Sequence, residues 1–146
     1  MSQTANGATL SVSAALPAAH TEAGFTALTF TEVGEIESIG TIGATTNKVE
    51  FQPLKGPKQK MKGSSDFGSL SPSMAYVKAD AGQTILEANA TANVNLAFKV
   101  TYQNGDIRYF AGQVFGWPEN IGNADSVVMI NPTIEINTTI IKKNAA

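Results

Sequence analysis

The chain has 146 residues, 42% of them hydrophobic, enough for one modest core and too few for two comfortable domains. Charge is sparse, with 10 basic against 12 acidic residues for a net −2, so the basic excess of a general nucleic-acid binder is missing. With no cysteine and one histidine, His20, disulfides and thiolate metal sites are excluded and zinc has too few ligands.

Residues 1–7 are small and polar and read as a loose arm. Leu10 and Val12 then alternate with Ser11 and Ser13 in a first strand that Pro17 ends, so residues 1–20 form a flexible N-terminal arm plus one strand. The first nineteen residues carry no Lys or Arg and no signal-peptide core. Nothing in the chain approaches the roughly 20 apolar residues of a membrane span. A protein made and used in a cytoplasm is expected, unless an assembly carries it out. The two matches to the glycosylation sequon, at Asn89 and Asn137, are then chance matches.

Residues 21–28 connect, with Phe25 and Leu28 able to pack inward. Residues 30–39 read as a strand bearing Glu32, Glu35 and Glu37, broken at Gly34 and stopped by the Gly-Thr-Ile-Gly of 40–43. Val49 and Phe51 begin another strand, which Pro53 confines to an edge. Residues 53–72 hold three prolines, three glycines and Lys55, Lys58, Lys60 and Lys62. A short strand over 58–62 has too little apolar content to anchor itself, so the segment reads as one long loop. Loops beyond about 12–15 residues in compact domains are usually functional or disordered.

Residues 73–78 form a strand through Met74 and Tyr76, and Asp80 opens the one expected helix. Asp80 as N-cap with Gln83 makes a capping box, and Ile85, Leu86 and Ala88 supply an apolar side. A long hairpin follows over 93–117, turning at Asn104-Gly105 in an expected two-residue type I′ turn. That turn pairs Tyr102 with Ile107, Val100 with Tyr109, Phe98 with Ala111 and Val94 with Phe115 on an apolar face. The opposite face carries Asn95, Lys99, Thr101, Arg108, Phe110 and Val114, with Ala97 and Gly112. Residues 119–125 are a polar loop. Residues 127–141 are a last element with Ile134, Ile136 and Ile140 in one phase and Pro132 as a bulge or edge. The fold class is mainly β: a β-sandwich or small barrel of six to eight strands with one α-helix.

This order of parts resembles the tail tube, or major tail, proteins of long-tailed bacteriophages, especially those with non-contractile tails. The resemblance runs from about Thr21 to Lys142. It is carried by Ala23-Gly-Phe-Thr-Ala-Leu28, the segment Phe30 to Gly40, the Gly/Lys loop, the single helix, the Asn-Gly hairpin with its Phe-Ala-Gly return, and Asn131-Pro-Thr-Ile-Glu-Ile-Asn137. It implies a single tail-tube-like domain over 1–146 that forms hexameric rings stacked into a hollow tube for the genome. Hairpins would line the channel, the 53–72 loop would reach the adjacent ring, and the helix would lie outside. The implied partners are further copies of the chain and other tail proteins at the tube ends, with a tape-measure protein and DNA passing transiently through the lumen. No membrane partner and no cofactor are implied, and the implied location is the virion tail, assembled in the host cytoplasm. A type VI-like secretion tube shares the fold, and a monomeric carbohydrate- or receptor-binding β-sandwich is the rival from another class.

Lys55, Lys58, Lys60 and Lys62 read as a solvated run, as an inter-ring contact to an acidic face of Glu32, Glu35 and Glu37, or, third, as a DNA contact. The hairpin face of Asn95, Lys99, Thr101, Arg108, Phe110 and Val114 reads as solvated or, in a tube, as lumenal or inter-subunit. A glycosidase pair needs two carboxylates across a sugar-sized cleft, and an exposed strand face explains the three glutamates better. Tyr102, Tyr109 and Trp117 could stack on a sugar or base, but core burial is favoured for both tyrosines. Gly34, Gly40 and Gly43 make no phosphate-cradling pattern. No catalytic set converges, so no enzyme is expected.

Overall fold

The computed structural model describes residues 2–144, so Met1 of the expected arm lies outside the described residues. In chain order the elements are β1 (Thr9–Ser13), α1 (Glu22–Thr26), β2 (Thr31–Val33), β3 (Ile36–Ser38), β4 (Thr45–Phe51), β5 (Gln59–Asp66), β6 (Ser69–Leu70), β7 (Ser73–Ala75), α2 (Ala81–Asn89), β8 (Leu96–Thr101), β9 (Ile107–Phe115), β10 (Glu119–Asn120), β11 (Met129–Ile130), β12 (Thr133–Ile136) and β13 (Ile141–Lys143). The protein is mainly β, as expected, but its strands are shorter and more numerous than the sequence reading had them.

A large sheet runs in the order β2-β1-β8-β9-β12-β6, with β13 also paired to β9. A second sheet runs β10-β11-β7-β3, and β4 pairs only with β5. The main core joins Leu10, Val12, Leu96, Phe98, Val100, Phe110, Val114 and Ile134 of the large sheet to Met74 and Ile130 of the smaller sheet and Leu86 of α2. Burying a side chain of this size contributes about 1.5–3 kcal/mol. The other face of the large sheet is not bare. Phe25, Ala97 and Tyr109 are buried there, with Leu28, Phe30, Ile107 and Ile141 packed around them.

The central hairpin corrects the expected register. Tyr102 N donates to Asp106 O at 2.8 Å and Gly105 N to Tyr102 O at 3.0 Å, so the loop has three residues, Gln103 to Gly105. Gly105 takes φ +96°, whereas Asn104 is not among the positive-φ residues that a type I′ turn requires. The extra residue shifts every pair by one: Phe98 faces Phe110, Ala97 faces Ala111 and Lys99 faces Tyr109. Phe110 and Val114, expected on the second face, therefore lie in the main core. Tyr109, expected in that core, lies on the second face and stacks on Phe25 with centroids 5.3 Å apart.

The expected strand over 30–39 is two strands in different sheets, separated by a corner at Glu35 with φ +57°. The corner is fixed from α2. Asp80 Oδ2 accepts from Gly34 N at 3.1 Å and from Gln83 N at 2.9 Å. The Gln83 side chain, buried, accepts from Val77 N and donates to Gly34 O and Ala75 O. Only half of the expected capping box forms, because Gln83 serves these three backbone groups instead. Close approach of α2 to β2 needs Gly82, where a Cβ would lie 2.5 Å from Glu32 O.

Two further elements depart from the sequence reading. Residues 21–28 contain α1, capped by Thr21, whose Oγ1 accepts from Gly24 N at 3.1 Å. The expected last strand is three strands: β11 belongs to the smaller sheet and β12 and β13 to the large one, with Pro132 at the crossing. Between β12 and β13 the chain bulges, and Thr138 Oγ1 accepts Ala111 N at 2.9 Å where a backbone carbonyl would otherwise serve.

Candidate functional site

Of the expected loop over 53–72, residues 53–66 belong to an arm, whereas residues 69–70 form β6 in the large sheet with Leu70 fully buried in the main core. β4 and β5 form a two-stranded hairpin in which every strand residue but Gly63 is exposed. Val49 opposes Met61 and Phe51 opposes Gln59, so these four share one face. Lys48 opposes Lys62 and Glu50 opposes Lys60 on the other. The apolar face is bare: Val49, Phe51 and Met61 are 47%, 54% and 51% exposed. On the charged face Glu50 accepts Lys48 at 2.7 Å and Lys58 at 3.4 Å. Exposed pairs of this kind contribute about 0–1 kcal/mol each. Isolated two-stranded hairpins are marginal in water, and this arm buries neither face within the subunit.

The tip is ordered by its own contacts. Gln52 Nε2 donates to Pro53 O at 3.0 Å and to Gly56 O at 3.2 Å, and Leu54 between them is fully exposed. The arm, residues 45–66, holds five of the chain's ten basic residues and two of its twelve acidic ones. The remaining surface is therefore predominantly acidic.

The three glutamates do not form one face. Glu32 sits in β2 of the large sheet and Glu37 in β3 of the smaller one, with Glu35 at the corner between them. Glu35 and Glu37 do come together, on a groove of about 590 Å³ lined also by Ile36, Ala75, Asn120, Ser126, Val127 and Met129. A second groove of about 710 Å³ lies between the N-terminal residues 3–8, residues 36–40 and Tyr102. Sequence reasoning missed Val127 and Met129 because the strand pairing that places them beside Glu35 is long-range. Among the described residues no group of three or more His, Cys, Asp or Glu converges as a metal site would require.

The hairpin face expected to be lumenal or inter-subunit is split by the register. Lys99 and Thr101 share the second face, where Lys99 Nζ lies 5.8 Å from the Phe30 ring centroid. Arg108 opposes Val100 at the margin of the core face, over Tyr102 with its guanidinium carbon 5.0 Å from the ring centroid. Asn95 precedes β8 and accepts from Asn137 Nδ2 at 3.0 Å. Phe110 and Val114 are buried and unavailable to any partner of the folded subunit.

No protein-family model matches the sequence, and no curated protein does. Solved structures do match. A chain in the tail of an empty GTA particle, refined helically with C6 symmetry, superposes with TM-score 0.70 at 10% identity, covering 99% of this chain and 100% of that one. A chain of the six-fold symmetrised anti-feeding prophage baseplate gives TM-score 0.68 at 9% identity over 99% and 98% of the two chains. The SPP1 tail tube gives 0.62 at 13% identity over 94% and 77%. The chain has the fold shared by subunits of phage-type tails and contractile injection systems.

Proposed function

We propose that this chain is a structural tail-tube subunit, with no catalytic role, whose copies form rings, hexameric by the resemblance, that stack into a hollow conduit for genome delivery. The observation that carries this reading is the free-standing β4–β5 arm, with a bare apolar face and a lysine-rich face, on a fold shared with six-fold symmetric tail particles. Closed rings stacked by repeated identical contacts give each arm the same neighbour surface. In this reading Lys55, Lys58, Lys60 and Lys62 act between rings, and Lys99 and Thr101 belong to a sheet face toward the lumen or the next subunit. Other tail proteins cap the tube, a tape-measure protein and DNA occupy its lumen in turn, and the product resides in the virion tail after assembly in the host cytoplasm.

A second reading, an injection or secretion tube, is favoured by the likeness to chains of an extracellular contractile injection system, at TM-scores of 0.68 and 0.64. The same likeness means that the fold does not separate contractile from non-contractile tails. Negative-stain electron microscopy of the concentrated protein tests both readings against a monomeric binding module. Rings or tubes are expected, and a protein that stays monomeric at high concentration overturns them.

A further inference from the structure

We propose that the groove lined by Glu35, Glu37, Val127 and Met129 receives the tip of the β4–β5 arm of a second copy, with Leu54 as the apolar anchor and the tip lysines against the two carboxylates. This rests on the self-assembly reading and names the surface that completes it.

Leu54 is fully exposed, on a turn held in shape by the two Gln52 hydrogen bonds. A large apolar side chain presented on a preorganised turn loses little conformational freedom on docking. The groove has the matching chemistry. Ile36, Ala75, Val127 and Met129 give it apolar walls, and Glu35 and Glu37 add negative charge. Val127 is exposed on the groove's margin. At about 590 Å³ the groove is ample for one leucine and the stems of flanking lysines.

Charge points the same way. Among the described residues neither Glu35 nor Glu37 forms an ion pair, and neither do Lys55, Lys60 and Lys62. The groove wall is also fixed in advance. Glu35 keeps its φ of +57° because Gly34 is held by Asp80 and Gln83, while Ala75 N donates to Glu35 O at 2.9 Å. Backbone strain of this kind, about 1–3 kcal/mol, persists where surrounding structure over-determines it, and clusters at ligand clamps. The 710 Å³ groove is the poorer receptor, since its own N-terminal segment forms one wall and Glu37 is its only acidic residue.

The chain has no cysteine, so the introduced thiols are the only ones, and the single variants Leu54→Cys and Val127→Cys, which can form only like-with-like dimers, serve as controls. The full-length double variant Leu54→Cys with Val127→Cys is oxidised under assembly conditions and read by non-reducing gel, beside the same sample in negative stain. A ladder of covalent multimers is expected. A ladder from Leu54→Cys with Ile39→Cys, and none from the Val127 pair, moves the tip to the other groove and overturns the proposal while the tube reading stands. Tubes without cross-links from either pair overturn it too, and no assembly of the unmodified chain overturns both readings. As an independent arm, Glu35→Lys with Glu37→Lys should raise the protein concentration needed for assembly about tenfold. Combining it with Lys55→Glu, whose lysine has no ion-pair partner among the described residues of its own subunit, should recover part of the lost assembly, and failure of that recovery counts against the charge pairing.

Discussion

Phe98 and Phe110 face each other across the central hairpin, their rings stacked at 17° with centroids 5.4 Å apart and both fully buried. Truncating either ring should therefore be equally damaging. Phe98→Ala and Phe110→Ala should each lose about 3–5 kcal/mol in urea unfolding. A double-mutant cycle should return a coupling of about 0.5–1.5 kcal/mol for the ring pair. A Phe110→Ala subunit as stable as the parent would restore the two-residue turn and the opposite face assignment.

The turn itself makes the second prediction. Gly105→Val should lose about 1–2 kcal/mol at φ +96°. Asn104→Ala should lose less, since Asn104 is not in the left-handed region and forfeits two exposed hydrogen bonds, from Asp106 N to its Oδ1 at 3.0 Å and from its Nδ2 to Asp106 Oδ2 at 3.2 Å. Thermal melts of the two variants rank them. Equal losses would mean that both positions are left-handed, as in a type I′ turn.

Much of this architecture was legible wherever one face of an element is buried. The alternation of Leu96, Phe98 and Val100, the Ile134 and Ile136 phase, and the Asp80 cap all survive in the structure. What failed was a count of one residue in a turn, because Asn-Gly fits both a two-residue loop and the last two places of a three-residue one. That single residue exchanges Phe110 with Tyr109. β5 was only partly legible, as a short strand over 58–62 with nothing to anchor it: Gln-Lys-Met-Lys-Gly-Ser-Ser-Asp has no buried face in the subunit, so its strand character lies in pairing with β4 and leaves no hydrophobic period. The five residues of α1 span little more than one turn, too few to show helical periodicity. The lysines and glutamates can be named from the sequence, but the groove that joins Glu35 and Glu37 to Val127 and Met129 is not legible there, because it depends on the pairing of β7 with both β3 and β11.

The α2 anchor makes the third prediction. Gln83→Ala leaves Val77 N, Gly34 O and Ala75 O without their partner in a part-buried setting. Each unsatisfied group costs about 1–3 kcal/mol when water cannot replace the bond. A total loss of at least 2 kcal/mol is expected in chemical denaturation. Gly82→Ala, which would favour an isolated helix, should also destabilise, because its Cβ meets the Glu32 carbonyl and Val33 Cα. A stabilised Gly82→Ala variant would show that α2 does not press on β2 as described.

The last prediction concerns the arm as a unit. Thr45 and Asp66 are paired across the base of the hairpin, so the ends left by removing residues 46–65 already lie one strand spacing apart, about 5 Å. A short Gly-Asn turn can close that gap without moving either neighbour. The removed residues bury almost nothing in the subunit, since both strands are exposed along their length. The shortened chain should therefore fold with stability within about 0.5 kcal/mol of the parent, as surface changes usually do. It should also fail to stack, because the bare apolar face of Val49, Phe51 and Met61, the Leu54 tip and half of the chain's cations are gone. In the full-length protein, added salt should weaken stacking only in part, because screening reduces the lysine contacts and leaves the apolar ones. Unfolding curves, sedimentation and negative stain of the shortened chain read the outcomes separately. Normal tubes from it would return the arm to a solvated excursion. Loss of the folded subunit would show that the hairpin supports its own domain and not a neighbour.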